Sequence, residues 1–372
     1  MARRPLFTNL MRALPATVPF VGPEAIERAS GRRLRLRLGA NESLFGPSPR
    51  AQEAMRAAVG DVWMYGDPEN DSLRTELARF HGVGVENIVV GCGIDDLLEW
   101  IVRAALDPGE TVVTSLGAYP TVNYHVHGHG GRIEQVPYRD DRNDLEALVA
   151  AAEQTEARLL YLANPDNPTG TWQSPADLVA SMDQVPPDCI FVLDEAYVDF
   201  APAGAVPPLD VGRANVLRLR TFSKAYGMAG ARIGYAIGHA ETIAAFEKIR
   251  LHFGVNRIAQ AGALASLADT AHLRSVVRAV QEGRDELAVL AYSLDLSTLP
   301  SATNFVALDL GTRDRARAVM RALAERDVFA RMPGTPPLDR LVRVTVAPAP
   351  HRAAFAEVFA EVIEGARSAT SV

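Results

Sequence analysis

Short apolar runs bounded by turn residues recur through the middle of the chain, at 88–90, 111–113, 159–162, 190–193 and 216–219. Their length and flanks read as strands. Between them lie longer stretches with helical spacing, at 95–105, 174–184 and 240–251. Strands alternating with helices predict an α/β domain on a mostly parallel central sheet, whose ligands gather at the carboxyl ends of the strands. Past residue 270 the pattern changes to long helices around a few strands, 305–310 and 341–346 among them, which predicts a smaller α+β domain. The first forty-odd residues carry little regular pattern and are expected to wrap across the rest. The expected organisation is an N-terminal segment (1–45) joining the small domain, a large domain (46–270) and a small C-terminal domain (271–372).

Composition narrows the class. The 372 residues are 48% hydrophobic and 22% charged, enough for a large core. A net charge of -7 supplies no overall positive field, so neither nucleic acid nor an anionic membrane is an expected partner. The basic run Arg32 to Leu38 alternates with period two, which reads as a strand with leucines inward and arginines in solvent. Pro5, Pro15 and Pro19 interrupt every early apolar run, and no stretch approaches the roughly 20 apolar residues of a membrane span. Cys92 and Cys189 have no metal spacing and form no framework, which fits a reducing cytoplasm. His125, His127 and His129 would share one face of an extended segment. No carboxylate or cysteine completes a site there, and no metal is expected.

The chemistry concentrates in Thr221-Phe222-Ser223-Lys224 and the following glycine-rich stretch to Arg232 and Gly234. A lysine at a strand end can form a Schiff base if burial or a cationic neighbour helps it lose its proton. Hydroxyls and a guanidinium fork suit a phosphate. Alone, a Ser-Lys pair is an ordinary polar turn. Two further motifs accompany it: Asn164-Pro165-Asp166-Asn167-Pro168-Thr169-Gly170 after the 159–162 run, and Asp194-Glu195-Ala196-Tyr197 after the 190–193 run. The first fixes a polar turn; the aspartate of the second is either a helix cap or a partner for a protonated pyridine nitrogen.

In this order and spacing the motifs resemble the fold-type I, class I/II aminotransferases that depend on pyridoxal 5'-phosphate, and within them the histidinol-phosphate and aromatic aminotransferase group. Ala40-Asn41-Glu42-Ser43, Tyr65-Gly66-Asp67-Pro68, Gly91-Cys92-Gly93-Ile94-Asp95-Asp96 and Leu341 to Val346 extend the likeness from about residue 20 to about residue 350. The resemblance implies Lys224 as the lysine that holds the cofactor and moves the proton. Asp194 would pair with the ring nitrogen, Asn167 and Tyr197 with the ring oxygen, and Tyr119 would stack on the ring. Thr221, Ser223 and Arg232 would bind the phosphate, with Gly93 and the amides of Ile94 and Asp95 at a helix start. Ile94 replaces the small or hydroxyl residue common there, which leaves an amide contact and removes a side-chain one. Tyr65 would reach the cofactor phosphate of a partner subunit, making a homodimer the active unit.

At the substrate end the resemblance implies Arg343, assisted by Arg331, as the anion site, with Asn41 in the substrate-binding set. Phe20 stands where the histidinol-phosphate enzymes usually carry a tyrosine, which favours an aromatic or apolar donor. The implied reaction moves an amino group from histidinol phosphate or an aromatic amino acid to a 2-oxo acid such as 2-oxoglutarate. A threonine-phosphate-type decarboxylase or a carbon–sulfur lyase on the same fold would keep the same residues and differ in product. A cofactor-binding regulator without turnover would usually carry an added DNA-binding domain, for which residues 1–40 leave no room.

Overall fold

The structure, a computed structural model, describes residues 6–14 and 21–370. Its central sheet has seven strands: β2 (Ile88–Gly91), β3 (Thr111–Ser115), β4 (Arg132–Val136), β5 (Leu159–Ala163), β6 (Ile190–Asp194), β7 (Val216–Thr221) and β8 (Gly234–Gly238). Their spatial order is β2-β8-β7-β6-β5-β3-β4, and β8 alone runs antiparallel to its neighbours. Strands buried on both faces need no polar alternation, which is why β3 and β5 read as unbroken runs. Leu160, Leu162, Phe191 and Leu193 pack beneath the helices Leu145–Gln154 and Pro175–Gln184. Leu159, Tyr161, Val192 and Leu217 point the other way, into the cluster that includes Leu97, Leu98 and Ile101 of the helix Ile94–Ala105.

Side-chain caps fix several helix starts. Ser174 accepts from the Asp177 amide, Asp144 from Ala147 and Asn256 from Ala259. At Gly227 the backbone has φ +70, and a Cβ would lie 2.3 Å from the Gly46 carbonyl carbon. A glycine there lets the loop after Lys224 press against the segment at Gly46.

Two smaller sheets lie apart from the central one. β10 (Phe305–Asp309) pairs antiparallel with β9 (Ser297–Thr298) and β12 (Leu341–Thr345), while β1 (Leu36–Arg37) runs parallel to β11 (Val328–Phe329). Leu36 and Leu38 pack with Val276 and Val280 of the helix Thr270–Ser293, Val319 and Leu323 of Arg313–Glu325, and Phe355 and Phe359 of Ala349–Thr370. The N-terminal segment thus contributes to the core of the C-terminal part.

Three sequence readings change. The helix expected over 240–251 is Ala240–Phe246 followed by turns, and Leu251 is exposed rather than part of an apolar face. The segment carrying His125 and His127 is the helix Thr121–Gly128, not extended chain. Helical geometry turns residues two apart by about 200°, so His125 is half-buried and His127 is exposed on another side. The 32–38 run pairs as a strand only at Leu36–Arg37, although Leu36 and Leu38 do point inward. Among the described residues no group of three His, Cys, Asp or Glu could hold a metal ion, and no described helix is long and apolar enough to cross a membrane.

Leu323 is fully buried, whereas Arg321 on the same helix is exposed. Leu323→Ala is expected to lower unfolding stability by ~2–5 kcal/mol, and Arg321→Ala by less than ~0.5 kcal/mol, read by urea titration.

Candidate active site

β5, β6 and β7 lie side by side in register, so their carboxyl ends bring together chain segments about thirty residues apart. A cavity of about 700 Å³ opens there. Its lining includes Asn41, Ile94, Asp95, Tyr119, Asn167, Asp194, Tyr197, Thr221, Ser223, Lys224, Arg232, Arg331 and Arg343. Gly93 stands behind Arg232: its φ is +92, and a Cβ would sit 2.7 Å from the Arg232 Nη2. Two expected residues are apart from this group. Tyr65 is 76% exposed, its ring 4.7 Å from that of Phe253, and does not line the cavity. Phe20 lies outside the described residues.

Lys224 follows β7, and its Nζ donates to the Asn41 carbonyl at 3.2 Å and lies 5.5 Å from the centre of the Tyr197 ring. Asn41 has a left-handed backbone, φ 55, uncommon for a residue with a side chain. Its amide donates to Thr345 Oγ1 at 3.1 Å, its Nδ2 donates to the Tyr197 hydroxyl at 2.8 Å, and its carbonyl also accepts from Asn304 Nδ2 at 3.1 Å.

At one end, the Thr221 hydroxyl donates to Ser223 Oγ at 2.9 Å. Arg232 Nη1 donates to the Ala229 carbonyl at 3.0 Å, and Nη2 lies 3.8 Å from Asp95. These groups surround the start of the helix Ile94–Ala105, where free amides and the helix dipole favour an anion. The Tyr119 hydroxyl donates to Asp95 at 3.0 Å, which fixes its ring beside the cavity.

At the floor, Asp194 is 4% exposed. It accepts from the Tyr161 hydroxyl at 2.7 Å on Oδ2 and from the Ala196 amide at 2.9 Å on Oδ1. Burial pushes its carboxyl up from 3.8 to about 6, against those two donors. At the opposite end, Arg331 and Arg343 pair through their backbones in an antiparallel bridge. Arg343 Nη1 donates to Asn167 Oδ1, while its Nε is buried without a hydrogen-bond partner. Burial lowers the pKa of both guanidiniums, a cost that a bound anion would relieve.

This donor set fits pyridoxal phosphate: an anion cradle whose backbone only glycine satisfies, a lysine amine within the same cavity, and a buried carboxylate whose raised pKa a ring N–H would lower. Tyr161, Asn304 and Thr345 escaped the sequence reading. Tyr161 sits inside a run that scans as plain apolar strand, and its signal would have been a hydroxyl on the same face as Ala163. Asp166 was only a spacer within its motif. It is 1% exposed and anchors the loop of Asn167 by accepting from Tyr138, Asn143 and Thr169.

Comparison with known proteins agrees with this geometry. The model of aminotransferase class I and II matches residues 35–363. A histidinol-phosphate aminotransferase of Moorella thermoacetica is 36% identical over 350 residues, 93% of this chain and 90% of the relative. One from Anaeromyxobacter sp. is 36% identical over 346 residues, 92% and 94% of the two chains. The crystal structure of histidinol-phosphate aminotransferase from Sinorhizobium meliloti in complex with pyridoxal-5'-phosphate superposes with a TM-score of 0.94 at 48% identity, covering 98% of this chain and 99% of that one. The chain belongs to the class I and II aminotransferases. Its cofactor is pyridoxal phosphate and its reaction is transamination.

In cofactor-free protein, the raised Asp194 carboxyl costs nothing while protonated and its full penalty once ionised. Wild type is therefore expected to lose stability relative to Asp194→Asn as pH rises from 3.8 through about 6. The gap should widen by up to ~3 kcal/mol and then hold constant, read by urea unfolding across that range.

Proposed function

We propose that the chain transfers the amino group of histidinol phosphate to a 2-oxo acid such as 2-oxoglutarate. The observation that carries this reading is the pair Arg331 and Arg343, bridged backbone to backbone at the cavity wall with a buried guanidinium nitrogen left over. Two half-buried guanidiniums suit a phosphate ester or a carboxylate in turn. An aromatic amino acid is the second donor, favoured by the apolar lining of Leu116, Ala118, Met332 and Pro333.

Each site residue has a role that follows from its place. Arg232, Thr221, Ser223 and the amide groups at Gly93, Ile94 and Asp95 hold the cofactor phosphate. Tyr119 covers one ring face, and Asn167 and Tyr197 hydrogen-bond the ring oxygen. Asp194 keeps a proton on the ring nitrogen. Bound there, pyridoxal phosphate supplies the electron sink that stabilises negative charge at the donor's α-carbon. Nζ of Lys224 takes the proton from that carbon and returns it, while Asn41 keeps the amine at the cavity centre. Arg343 and Arg331 grip the donor's anionic end, and Asn41 completes the substrate side.

We further propose a cytoplasmic homodimer. The exposed Val62, Trp63, Tyr65, Leu251 and Phe253 form the kind of apolar surface that a second copy would cover, and Tyr65 would then reach the partner's cofactor phosphate. Residues 46–270 form the cofactor-binding domain, with 1–45 and 271–372 as the smaller unit, a division supported by the shared core of Leu36, Leu38 and the C-terminal helices.

A single-turnover absorbance assay tests the substrate. Histidinol phosphate should convert the cofactor band to its amine form, and phenylalanine more slowly; Lys224→Ala should abolish the conversion. Arg343→Lys should raise KM for histidinol phosphate about tenfold to a hundredfold, through loss of the fork. Discharge by neither donor, with the cofactor bound, would overturn the substrate reading. A carbon dioxide or thiol product would replace transfer with another reaction. Mixing inactive Lys224→Ala and Tyr65→Ala chains should restore activity if Tyr65 acts across the dimer, and monomeric sedimentation would refute that arrangement.

A further inference from the structure

The helix Ile94–Ala105 and the loop of Lys224 supply the groups around the cavity, but its floor depends on one hydrogen bond between strands. Ala163 of β5 faces Asp194 of β6 in register, and Tyr161 faces Val192. Side chains two apart on a strand share a face. Tyr161 therefore sits diagonally beside Asp194, and its hydroxyl closes the gap at 2.7 Å to Oδ2. The residue is 1% exposed, its ring lies in the apolar cluster of Leu97 and Ile101, and it lines the cavity. The ring alone would satisfy that packing; the hydroxyl adds only the bond to the carboxylate.

We propose that Tyr161 is a positioning residue for the reaction, acting through Asp194: its O–H donation makes the carboxylate a weaker base, so that the shared proton rests on the cofactor's ring nitrogen rather than on Asp194. The inference rests on Asp194 being the ring-nitrogen partner. Oδ1 is already taken by the Ala196 amide at 2.9 Å, so the two donors also fix the rotation of the carboxylate. Tyr161 donates most strongly to an ionised acceptor. It therefore opposes the tendency of burial to place a proton on Asp194, which would leave the ring neutral and the electron sink weak.

The test uses holoenzyme loaded with pyridoxal phosphate isotopically labelled at the ring nitrogen, whose magnetic resonance shift reports protonation directly. Wild type, Tyr161→Phe and Asp194→Asn are compared, with melting curves to show that each is folded. The expected result is a protonated nitrogen in wild type and a shift towards the unprotonated value in Tyr161→Phe, with kcat down about tenfold to a hundredfold and KM unchanged. A nitrogen shift and kcat in Tyr161→Phe equal to wild type would overturn the inference while leaving Asp194 in its role. A shift that Asp194→Asn does not move would instead overturn the reading of Asp194, and the inference with it.

Discussion

Glu195, one residue beyond β6, lies 2% exposed between the guanidiniums of Arg218 and Arg220 on β7. Burial pushes its carboxyl up, but the two arginines more than offset this and leave it below the usual range. Arg218 spends its remaining donors on the Pro207 and Pro208 carbonyls. A buried ion group of this kind is tolerated only when every member is paired, and it permits one arrangement of the two strands. Asp194 and Thr221 flank it in sequence. The pair of strand ends that carries Asp194 and Thr221 is thus locked by charges that never enter the cavity.

A second constraint joins segments far apart in the chain. Asn41 lies on the N-terminal segment, yet its backbone and side chain bond Thr345 at the end of β12, Asn304 before β10, and Tyr197 and Lys224 at the ends of the large sheet. The Lys224 amine is therefore held by a residue whose own position depends on the C-terminal part of the chain. Packing of Leu36 and Leu38 into that part places Asn41 a few residues on. Packing of Leu36 and Leu38 and placement of Lys224 are one problem rather than two.

Much of this was legible without coordinates because it is local. Unbroken apolar runs marked the doubly buried strands, Ser174 marked a helix start, and Asn167, Asp194 and Lys224 each fall just after such a run. Strand ends in an open parallel sheet are where ligands sit, so motif and architecture pointed to one place. His125, His127 and His129 alternate along the sequence, but His125 and His127 lie on the helix Thr121–Gly128, where alternation does not put residues on one face. The helix expected over 240–251 ends at Phe246, and Leu251 beyond it is exposed.

The chain by itself marked five of the seven central strands and the motifs at their ends, since these follow from side-chain pattern within short windows, and the resemblance those motifs carry implied the class of chemistry. Only the tertiary structure decided which distant residues support them. That Tyr161 donates to Asp194, that Asp166 anchors the loop of Asn167, and that Lys224 and Asn304 converge on the Asn41 carbonyl depend on strand register and on packing between distant segments. Hydrogen bonds form between atoms about 3 Å apart, and no spacing along the chain encodes a contact between residues 41 and 304.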